Sequence, residues 1–129
     1  MTRTVNSIFV AVVDDDESQR RAFVRLLRAV GIRSVPFTSA EEFRADLNYP
    51  DFDCLVVDIQ LPGMSGIELR NQLAAEGIVM PVIFVTAYDD PAAREQALVG
   101  PCLGYFRKTD SGNDILEAIR RTVASAPGS

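Results

Sequence analysis

Residues 8–18 read IFVAVVDDDES, so that six apolar residues run directly into three aspartates. A short apolar run of this kind is typical of a buried strand in a parallel sheet. The pattern recurs in the runs CLVV (54–57), VIFV (82–85) and LGYF (103–106), which precede Asp58, Thr86 and, one residue further on, Lys108. Open α/β sheets bind ligands at the edge formed by the carboxyl ends of their strands. The sequence therefore predicts that acids, a hydroxyl and an amine from distant segments meet at one edge of a sheet.

Five βα units follow from the alternation of such runs with amphipathic helical patterns. Strands are predicted at 8–13, 33–37, 53–57, 82–86 and 103–106. Helices are predicted at 17–30, from Ser39 onward, at 66–75, from Pro91 onward and at 113–124. Ser39 and Glu42 fit a capping box, and Asp90 fits the cap before Pro91. Right-handed crossovers then predict a doubly wound α/β fold, with helices on both faces of a five-stranded parallel sheet.

The composition predicts a single domain and argues against several classes of function. The chain has 129 residues, of which 47% are hydrophobic, so it can bury a core. Its formal charge of −5 argues against direct binding to nucleic acid. There is no histidine, and the two cysteines are far apart, so a zinc site is not expected and Cys54 is expected in the core. The N-terminus fits neither a signal peptide nor a membrane span, and we therefore expect a cytoplasmic protein.

Three of the carboxylates expected at the sheet edge belong to Asp14, Asp15 and Asp58. Carboxylates held close together repel, and some stay protonated unless a cation intervenes. Mg²⁺ prefers oxygen ligands and keeps some of its waters, so it suits such a group. An acidic helix N-terminus, stabilised by the helix dipole, would explain Asp16 and Glu17 but not the presence of Asp58 in the same place. The pattern therefore favours a magnesium site.

The motifs VVDDDES, VVDIQLPGMSG, VTA and YFRK occur in this order along the chain. In order and spacing they resemble the receiver domain of two-component response regulators, and the resemblance runs from about Ile8 to Val123. The segment from Asp14 to Phe43 is most similar to receivers that carry a LuxR-type DNA-binding output domain. The resemblance implies a flavodoxin-like fold with strand order 2-1-3-4-5. It also implies an N-terminal tail at 1–7, a receiver domain at 8–124, and a tail or the beginning of a linker at 125–129.

The resemblance further implies a role for each polar residue at the sheet edge. Asp58 corresponds to the phosphoacceptor, since a carboxylate can attack phosphorus when a metal ion neutralises charge on the transferring group. The implied ligands of Mg²⁺ (or Mn²⁺) are Asp14, Asp15, Asp58 and the backbone carbonyl of Gln60. The implied phosphoryl-stabilising residues are Thr86, Ala87 and Lys108. The switch residues would be Thr86 and Tyr105, and the residues that modulate loss of the phosphoryl group would be Gln60 and Tyr88.

A sensor histidine kinase is the partner that the resemblance implies. The domain would not be an enzyme with a released product, although it would promote its own phosphorylation and dephosphorylation. Its output would be a changed protein-binding face, made by the fourth helix, the fifth strand and the fifth helix, which could also support a homodimer. Neither direct nucleic-acid binding by this domain nor a membrane is expected.

Two positions depart from the family pattern. Thr109 follows the pocket lysine, where the family usually has proline, often after a cis peptide bond. A cis bond before a residue other than proline costs roughly 2.5–4 kcal/mol, so we expect the bond between Lys108 and Thr109 to be trans. Gly100-Pro101-Cys102 also replaces a stretch of small residues before the last strand. We therefore expect an altered loop there and a Lys108 that is displaced from Asp58.

Two alternatives stay open at the level of the sequence. The first is a haloacid-dehalogenase-type phosphatase, whose opening motif also fits residues 8–18. There the nucleophile would be Asp14, the general acid Asp16, and the further metal ligands Asp89 and Asp90. The chain is short for that fold, and Asp58 would have no role in it. The second is a degenerate receiver that binds partners without phosphorylation, which the altered segment around Thr109 suggests.

Overall fold

A computed structural model describes residues 8–46 and 51–124, in which five strands alternate with five helices. The strands are β1 (Phe9–Val13), β2 (Arg33–Phe37), β3 (Cys54–Asp58), β4 (Val82–Thr86) and β5 (Gly104–Arg107). The helices are α1 (Glu17–Ala29), α2 (Ala40–Ala45), α3 (Gly66–Ala75), α4 (Pro91–Leu98) and α5 (Gly112–Ala124). The tails predicted at 1–7 and 125–129 lie outside the described residues.

All five strands are parallel and form one sheet in the order β2-β1-β3-β4-β5, which confirms the predicted fold class. In the register of this sheet, Val13 lies beside Val57, Asp58 beside Val85, and Val85 beside Phe106. Successive side chains of a strand point to opposite faces. The register therefore puts one set of polar residues on the first face at the carboxyl edge: Asp14, Asp58 and Lys108. Thr86 points to the opposite face because it follows Val85 in β4. Tyr105 points to that face too, since it lies beside Phe84.

Each face of the sheet carries its own hydrophobic core. On the first face α1 and α5 cover the sheet, with Leu27, Leu116 and Ile119 fully or almost fully buried. Cys54 belongs to this core, as predicted. On the second face α2, α3 and α4 cover the sheet, with Phe43, Leu69 and Ala97 fully buried. Both cores fix the strands rigidly, since interiors are packed as densely as organic crystals. The side chains at the carboxyl edge are therefore held by a rigid frame.

Three strands differ by one residue from the predicted ranges: β1, β3 and β5 each begin one residue later, and β3 and β5 also end one residue later. β3 includes Asp58 and β5 extends to Arg107, because backbone hydrogen bonds continue past the apolar runs. The Ile59 N–H donates to the Val85 carbonyl (3.1 Å), and the Lys108 N–H donates to the Thr86 carbonyl (2.8 Å). Asp58 is therefore held inside the sheet rather than in the loop that follows it.

The capping box predicted for α2 forms only in part. The Ser39 hydroxyl accepts from the Glu42 N–H (3.0 Å), but the Glu42 carboxylate accepts from the Thr38 hydroxyl (2.7 Å). A complete box occurs at α3 instead, where Ser65 and Glu68 each accept from the other's backbone N–H at 3.1 Å. This box fixes the beginning of α3 and with it the end of the loop that follows Asp58.

Candidate functional site

Three carboxylates lie together at the carboxyl edge of the sheet, as the sequence predicted. Asp14, Asp15 and Asp58 each offer a carboxylate oxygen, and these oxygens lie within 4.8 Å of one another. We call these three residues the acid cluster. Asp58 is only 5% exposed and Asp14 only 9% exposed, whereas Asp15 is open to solvent. Two buried acids of like charge are unfavourable unless a positive group compensates them.

Lys108 supplies such a positive group. Its Nζ lies 2.9 Å from Asp58 Oδ2 and 3.0 Å from Asp14 Oδ2, so a single ammonium bridges both buried carboxylates. The lysine side chain is itself largely buried, which reduces screening by water. Arg107, the preceding residue, is exposed and pairs with Asp110 instead (3.4 Å). Strand alternation therefore separates the two basic residues as predicted.

The expected displacement of Lys108 is wrong, while the expected trans bond is confirmed. No cis peptide bond occurs within 8–46 and 51–124, so the bond before Thr109 is trans. Lys108 nevertheless reaches Asp58 because its own N–H continues the pairing of β5 with β4. The position of the lysine is thus set by the sheet before the chain reaches Thr109.

The ionisation of the two partners reflects opposite balances of burial and charge. Burial raises the pKa of the Asp58 carboxyl above its ordinary value, and the bond to Lys108 opposes this rise only in part. Burial alone would lower the pKa of Lys108, but the bonds to Asp58 and Asp14 together raise it above its ordinary value. Lys108 therefore keeps its proton more firmly than a free lysine does, and Asp58 takes up a proton more readily than a free aspartate does.

Backbone groups orient both buried carboxylates. The Asp16 N–H donates to Asp14 Oδ1 (2.9 Å), and the Gln60 N–H donates to Asp58 Oδ1 (3.0 Å). Gly66 then allows the loop after Asp58 to return close beneath it, since a Cβ at residue 66 would lie 2.4 Å from the Asp58 carbonyl oxygen. No side chain larger than hydrogen fits there without a shift of the backbone that carries Asp58.

Thr86 lies at the end of β4 but does not contact Asp58 through any described hydrogen bond. Its buried hydroxyl lies 2.5 Å from Gln60 Oε1 and 2.8 Å from the Tyr88 carbonyl oxygen, and it accepts from the Tyr88 N–H (3.1 Å). The sequence predicted only the backbone carbonyl and a modulating role for Gln60. The bond between its side chain and Thr86 was missed, because no periodic pattern relates two residues that are 26 positions apart.

Tyr105 and Tyr88 differ in how far they are packed. The Tyr105 hydroxyl donates to Asp89 Oδ1 (3.2 Å), and the guanidinium of Arg94 lies 5.5 Å from the centre of its ring. Burial and the bond to Asp89 raise the pKa of the Tyr105 hydroxyl above its ordinary value. Tyr88 is 73% exposed, and Ala87 is also exposed. Tyr105 is therefore tied to the loop before α4, whereas Tyr88 projects into solvent.

The donor atoms of the cluster fit a hard divalent cation. The three aspartates provide only carboxylate oxygens, which are the ligands that Mg²⁺ and Mn²⁺ prefer. One of them is exposed, so a cation and its remaining waters could enter from solvent. This part of the chain could hold a metal ion beside Asp58.

The acids that a phosphatase would use as its general acid and further metal ligands are engaged in other ways. Asp16 caps α1 by accepting from the Gln19 N–H (3.1 Å), and Asp90 caps α4 by accepting from the Ala92 N–H (3.2 Å). Asp89 accepts from Tyr105. Two helix caps and a contact to an aromatic side chain therefore explain these three acids without a phosphatase.

Comparison with known proteins decides the family. Residues 10–120 match the response regulator receiver domain. The chain belongs to this family.

Relatives of this receiver domain are found among both curated proteins and solved structures. Nodulation protein W of Bradyrhizobium diazoefficiens is 34% identical over 92% of this chain, which spans 52% of that protein. A response regulator receiver protein from Burkholderia phymatum is 42% identical, with a TM-score of 0.79 over 94% of this chain and 99% of that one. The structure of FixJ-N is 30% identical, with a TM-score of 0.84 over 95% of this chain and 98% of that one.

This receiver domain spans about half the length of the first curated relatives that it matches. Several others are named as transcriptional regulatory proteins, which agrees with the resemblance to receivers of DNA-binding regulators. In the part of the chain that the structure describes, none of the helices is both long enough and apolar enough to cross a bilayer.

Proposed function

We propose that this receiver domain accepts a phosphoryl group on Asp58 and thereby switches a protein-binding face. The observation that carries the proposal is the single ammonium of Lys108, which lies 2.9 Å from Asp58 and 3.0 Å from Asp14 at the carboxyl edge of the sheet. Asp58 is fixed by its strand, and its carboxylate lies beside those of Asp14 and Asp15. This arrangement positions a nucleophile and a positive charge before any substrate arrives.

The transfer would proceed by attack of an Asp58 carboxylate oxygen on phosphorus. A bond forms between that oxygen and phosphorus as the bond from phosphorus to the donor nitrogen breaks, and the donor nitrogen keeps the electron pair. Lys108 would then lie beside the phosphoryl oxygens as a point charge. Thr86 and the Ala87 N–H would supply further hydrogen bonds to these oxygens. The chain needs an outside donor because it has no histidine, and a sensor histidine kinase fits that need.

Mg²⁺ (or Mn²⁺) would be held by Asp14, Asp15, Asp58 and the backbone carbonyl of Gln60. When bound, it would neutralise charge on the transferring phosphoryl group. The oxygen-only cluster supports this assignment. Lys108 supplies one positive charge for two largely buried carboxylates, Asp14 and Asp58, so a divalent cation beside them would balance the remaining negative charge.

The output would be a rearrangement around Thr86 and Tyr105, which lie on the opposite face of the sheet from Asp58. A new anion at Asp58 would favour the state in which the Thr86 hydroxyl reaches it, and Tyr105 would leave Asp89 and turn inward. The face of α4, β5 and α5 would change as a result and could bind a partner or a second copy. The curated relatives are about twice as long as this chain, and several are named as transcriptional regulatory proteins, so a role in transcription regulation is proposed for the whole protein. The cytoplasmic location stays a prediction.

Tyr88 is proposed to slow the loss of the phosphoryl group. Its exposed ring stands two residues after Thr86, where it could shield an acyl phosphate from water. We expect a Tyr88→Ala variant to lose phosphate faster than the wild type. Faster loss in the wild type would contradict this role.

The test of the proposed function is the intact mass after incubation with acetyl phosphate and Mg²⁺. We expect the wild type to gain one phosphoryl group and Asp58→Asn to gain none. Chelation of Mg²⁺ should abolish the gain. No gain in the wild type would refute phosphorylation and favour a receiver that binds partners without it. A gain that persists in Asp58→Asn would return attention to Asp14.

A further inference from the structure

The hydroxyl of Thr86 is fully engaged in the resting structure. It is completely buried and lies within hydrogen-bonding distance of Gln60 Oε1 (2.5 Å), the Tyr88 carbonyl (2.8 Å) and the Tyr88 N–H (3.1 Å). A hydroxyl has one proton, so the two acceptor oxygens share it, while its own oxygen accepts from the N–H. The contact to Gln60 is the shortest of the three. Thr86 therefore has no free donor for another oxygen.

A phosphoryl group on Asp58 would compete for that proton. Asp58 and Thr86 point to opposite faces of the sheet, so the hydroxyl must leave its present partners before it can reach an oxygen bound to Asp58. Breaking a hydrogen bond to a buried group carries a free-energy cost, which opposes the switch. Whatever holds the hydroxyl at rest thus helps to set how readily the domain is activated.

We propose that the side-chain amide of Gln60 is a positioning residue that holds the Thr86 hydroxyl in its resting place and competes with the phosphoryl group for it. This inference rests on the proposed function of Asp58. Gln60 sets the equilibrium between resting and active states through this bond. Its backbone N–H donates to Asp58 at the same time (3.0 Å), so one residue contacts both the acceptor and the switch.

Of the two residues that contact the Thr86 hydroxyl, Gln60 is the one whose contact a substitution can remove. Tyr88 contacts the hydroxyl only through its backbone, which every residue type retains. Gln60 makes its contact through a side-chain oxygen, which is lost in any residue without an acceptor at that distance. Methionine matches glutamine in length and lacks the acceptor, so Gln60→Met removes the bond and leaves the backbone carbonyl of residue 60 in place.

The experiment is a titration with beryllium fluoride, a tetrahedral mimic of the phosphoryl group, in the presence of Mg²⁺. We expect Gln60→Met to bind it about two- to tenfold more tightly than the wild type, which is the effect of one net hydrogen bond. Gln72→Met, at an exposed position of α3, is the matched control and should bind as the wild type does. In a Thr86→Val background, Gln60→Met should have no further effect, because the hydroxyl is absent.

A second readout needs no phosphoryl mimic. In the resting protein, the NMR signal of the Thr86 methyl group should shift in Gln60→Met and stay unchanged in Gln72→Met. Equal or weaker beryllium fluoride binding in Gln60→Met would overturn the inference, as would the same gain in the Thr86→Val background. If the wild type itself shows no Asp58-dependent binding, the proposed function fails. The methyl signal still decides separately whether Gln60 holds Thr86.

Discussion

At the scale of single residues, Arg70 is the most unusual buried group outside the acid cluster. It lies on α3, is buried, and donates to the carbonyl oxygens of Ala97 (2.7 Å), Gln96 (2.8 Å) and Pro101 (3.1 Å). Within the described residues its charge meets no carboxylate at ion-pair distance. The guanidinium thus closes the carboxyl end of α4, where the helix dipole favours a positive charge.

We expect Arg70→Met to lower the free energy of unfolding by about 2–4 kcal/mol, because three carbonyls, one of them fully buried, lose a charged donor. Urea unfolding followed by circular dichroism measures this.

Gly100→Ala should also destabilise the wild type, since a Cβ there would lie 2.7 Å from Arg70 Cζ. The same change should have little further effect in Arg70→Ala. Additive losses in the double variant would show that the two residues do not interact.

At the same scale, the two thiols should differ in reactivity. Burial strongly raises the pKa of the Cys54 thiol, and burial also raises that of Cys102, which is only partly buried. The thiolate is the reactive form. We expect native protein treated with iodoacetamide at pH 8 to be labelled slowly at Cys102 and not at Cys54, as read by peptide mass. Equal labelling of both would indicate that the core around Cys54 opens easily.

At the scale of elements, the beginning of α3 supports β3 through Gly66. A Cβ at residue 66 would meet the carbonyl oxygen of Asp58 at 2.4 Å. We expect Gly66→Ala to lower the free energy of unfolding by about 1–3 kcal/mol and to weaken beryllium fluoride binding, since the backbone of Asp58 must shift. Chemical unfolding and the titration measure the two effects.

Gly77→Ala is the matched control for this variant. Residue 77 has a φ of 74° and open space around it, so alanine there meets strain but no clash. It should lose about 1 kcal/mol and bind beryllium fluoride normally. If Gly77→Ala weakened binding as much as Gly66→Ala does, the loss would reflect stability in general.

A salt bridge between two helices should make stability depend on pH. Glu76, at the end of α3, accepts from Arg44 of α2 at 2.5 Å, and this bond lowers the pKa of its carboxyl below the ordinary 4.5. A lowered folded-state pKa stabilises the fold above the unfolded-state pKa, and this contribution is lost as pH falls through the folded-state value. The difference in unfolding free energy between wild type and Glu76→Gln should therefore be constant near neutrality and shrink below about pH 4.5. A difference that is unchanged at pH 3 would contradict this.

At the scale of the whole molecule, phosphorylation should change association through the face of α4, β5 and α5. Val99, just after α4, exposes an apolar side chain near this face. We expect beryllium fluoride with Mg²⁺ to produce dimers in sedimentation velocity, and Asp58→Asn to stay monomeric. Val99→Ser should weaken the dimer, whereas Val79→Ser, an exposed valine before β4, should not. A wild type that stays monomeric under these conditions would rule out the homodimer.

The sequence by itself determined the fold and which segments build the site. Apolar runs and helical patterns are local, since they arise from the periods of strand and helix, and they predicted five βα units with boundaries correct to about a residue. Parallel strands with right-handed crossovers left only one edge where Asp14, Asp58 and Lys108 could gather. The residues of the acid cluster could therefore be named before any coordinates.

Only the tertiary structure decided how these residues contact one another. The pairing of β5 with β4 placed Lys108 against Asp58 although Thr109 follows it. The trans bond was predicted correctly, but the displacement of the lysine inferred from it was wrong. The register also put Thr86 on the opposite face from Asp58 and turned its hydroxyl toward Gln60. Such contacts depend on the alignment of strands and on side-chain rotamers chosen by packing across the whole sheet. Neither leaves a period in the sequence, and so the resting partner of Thr86 emerged only from the folded chain.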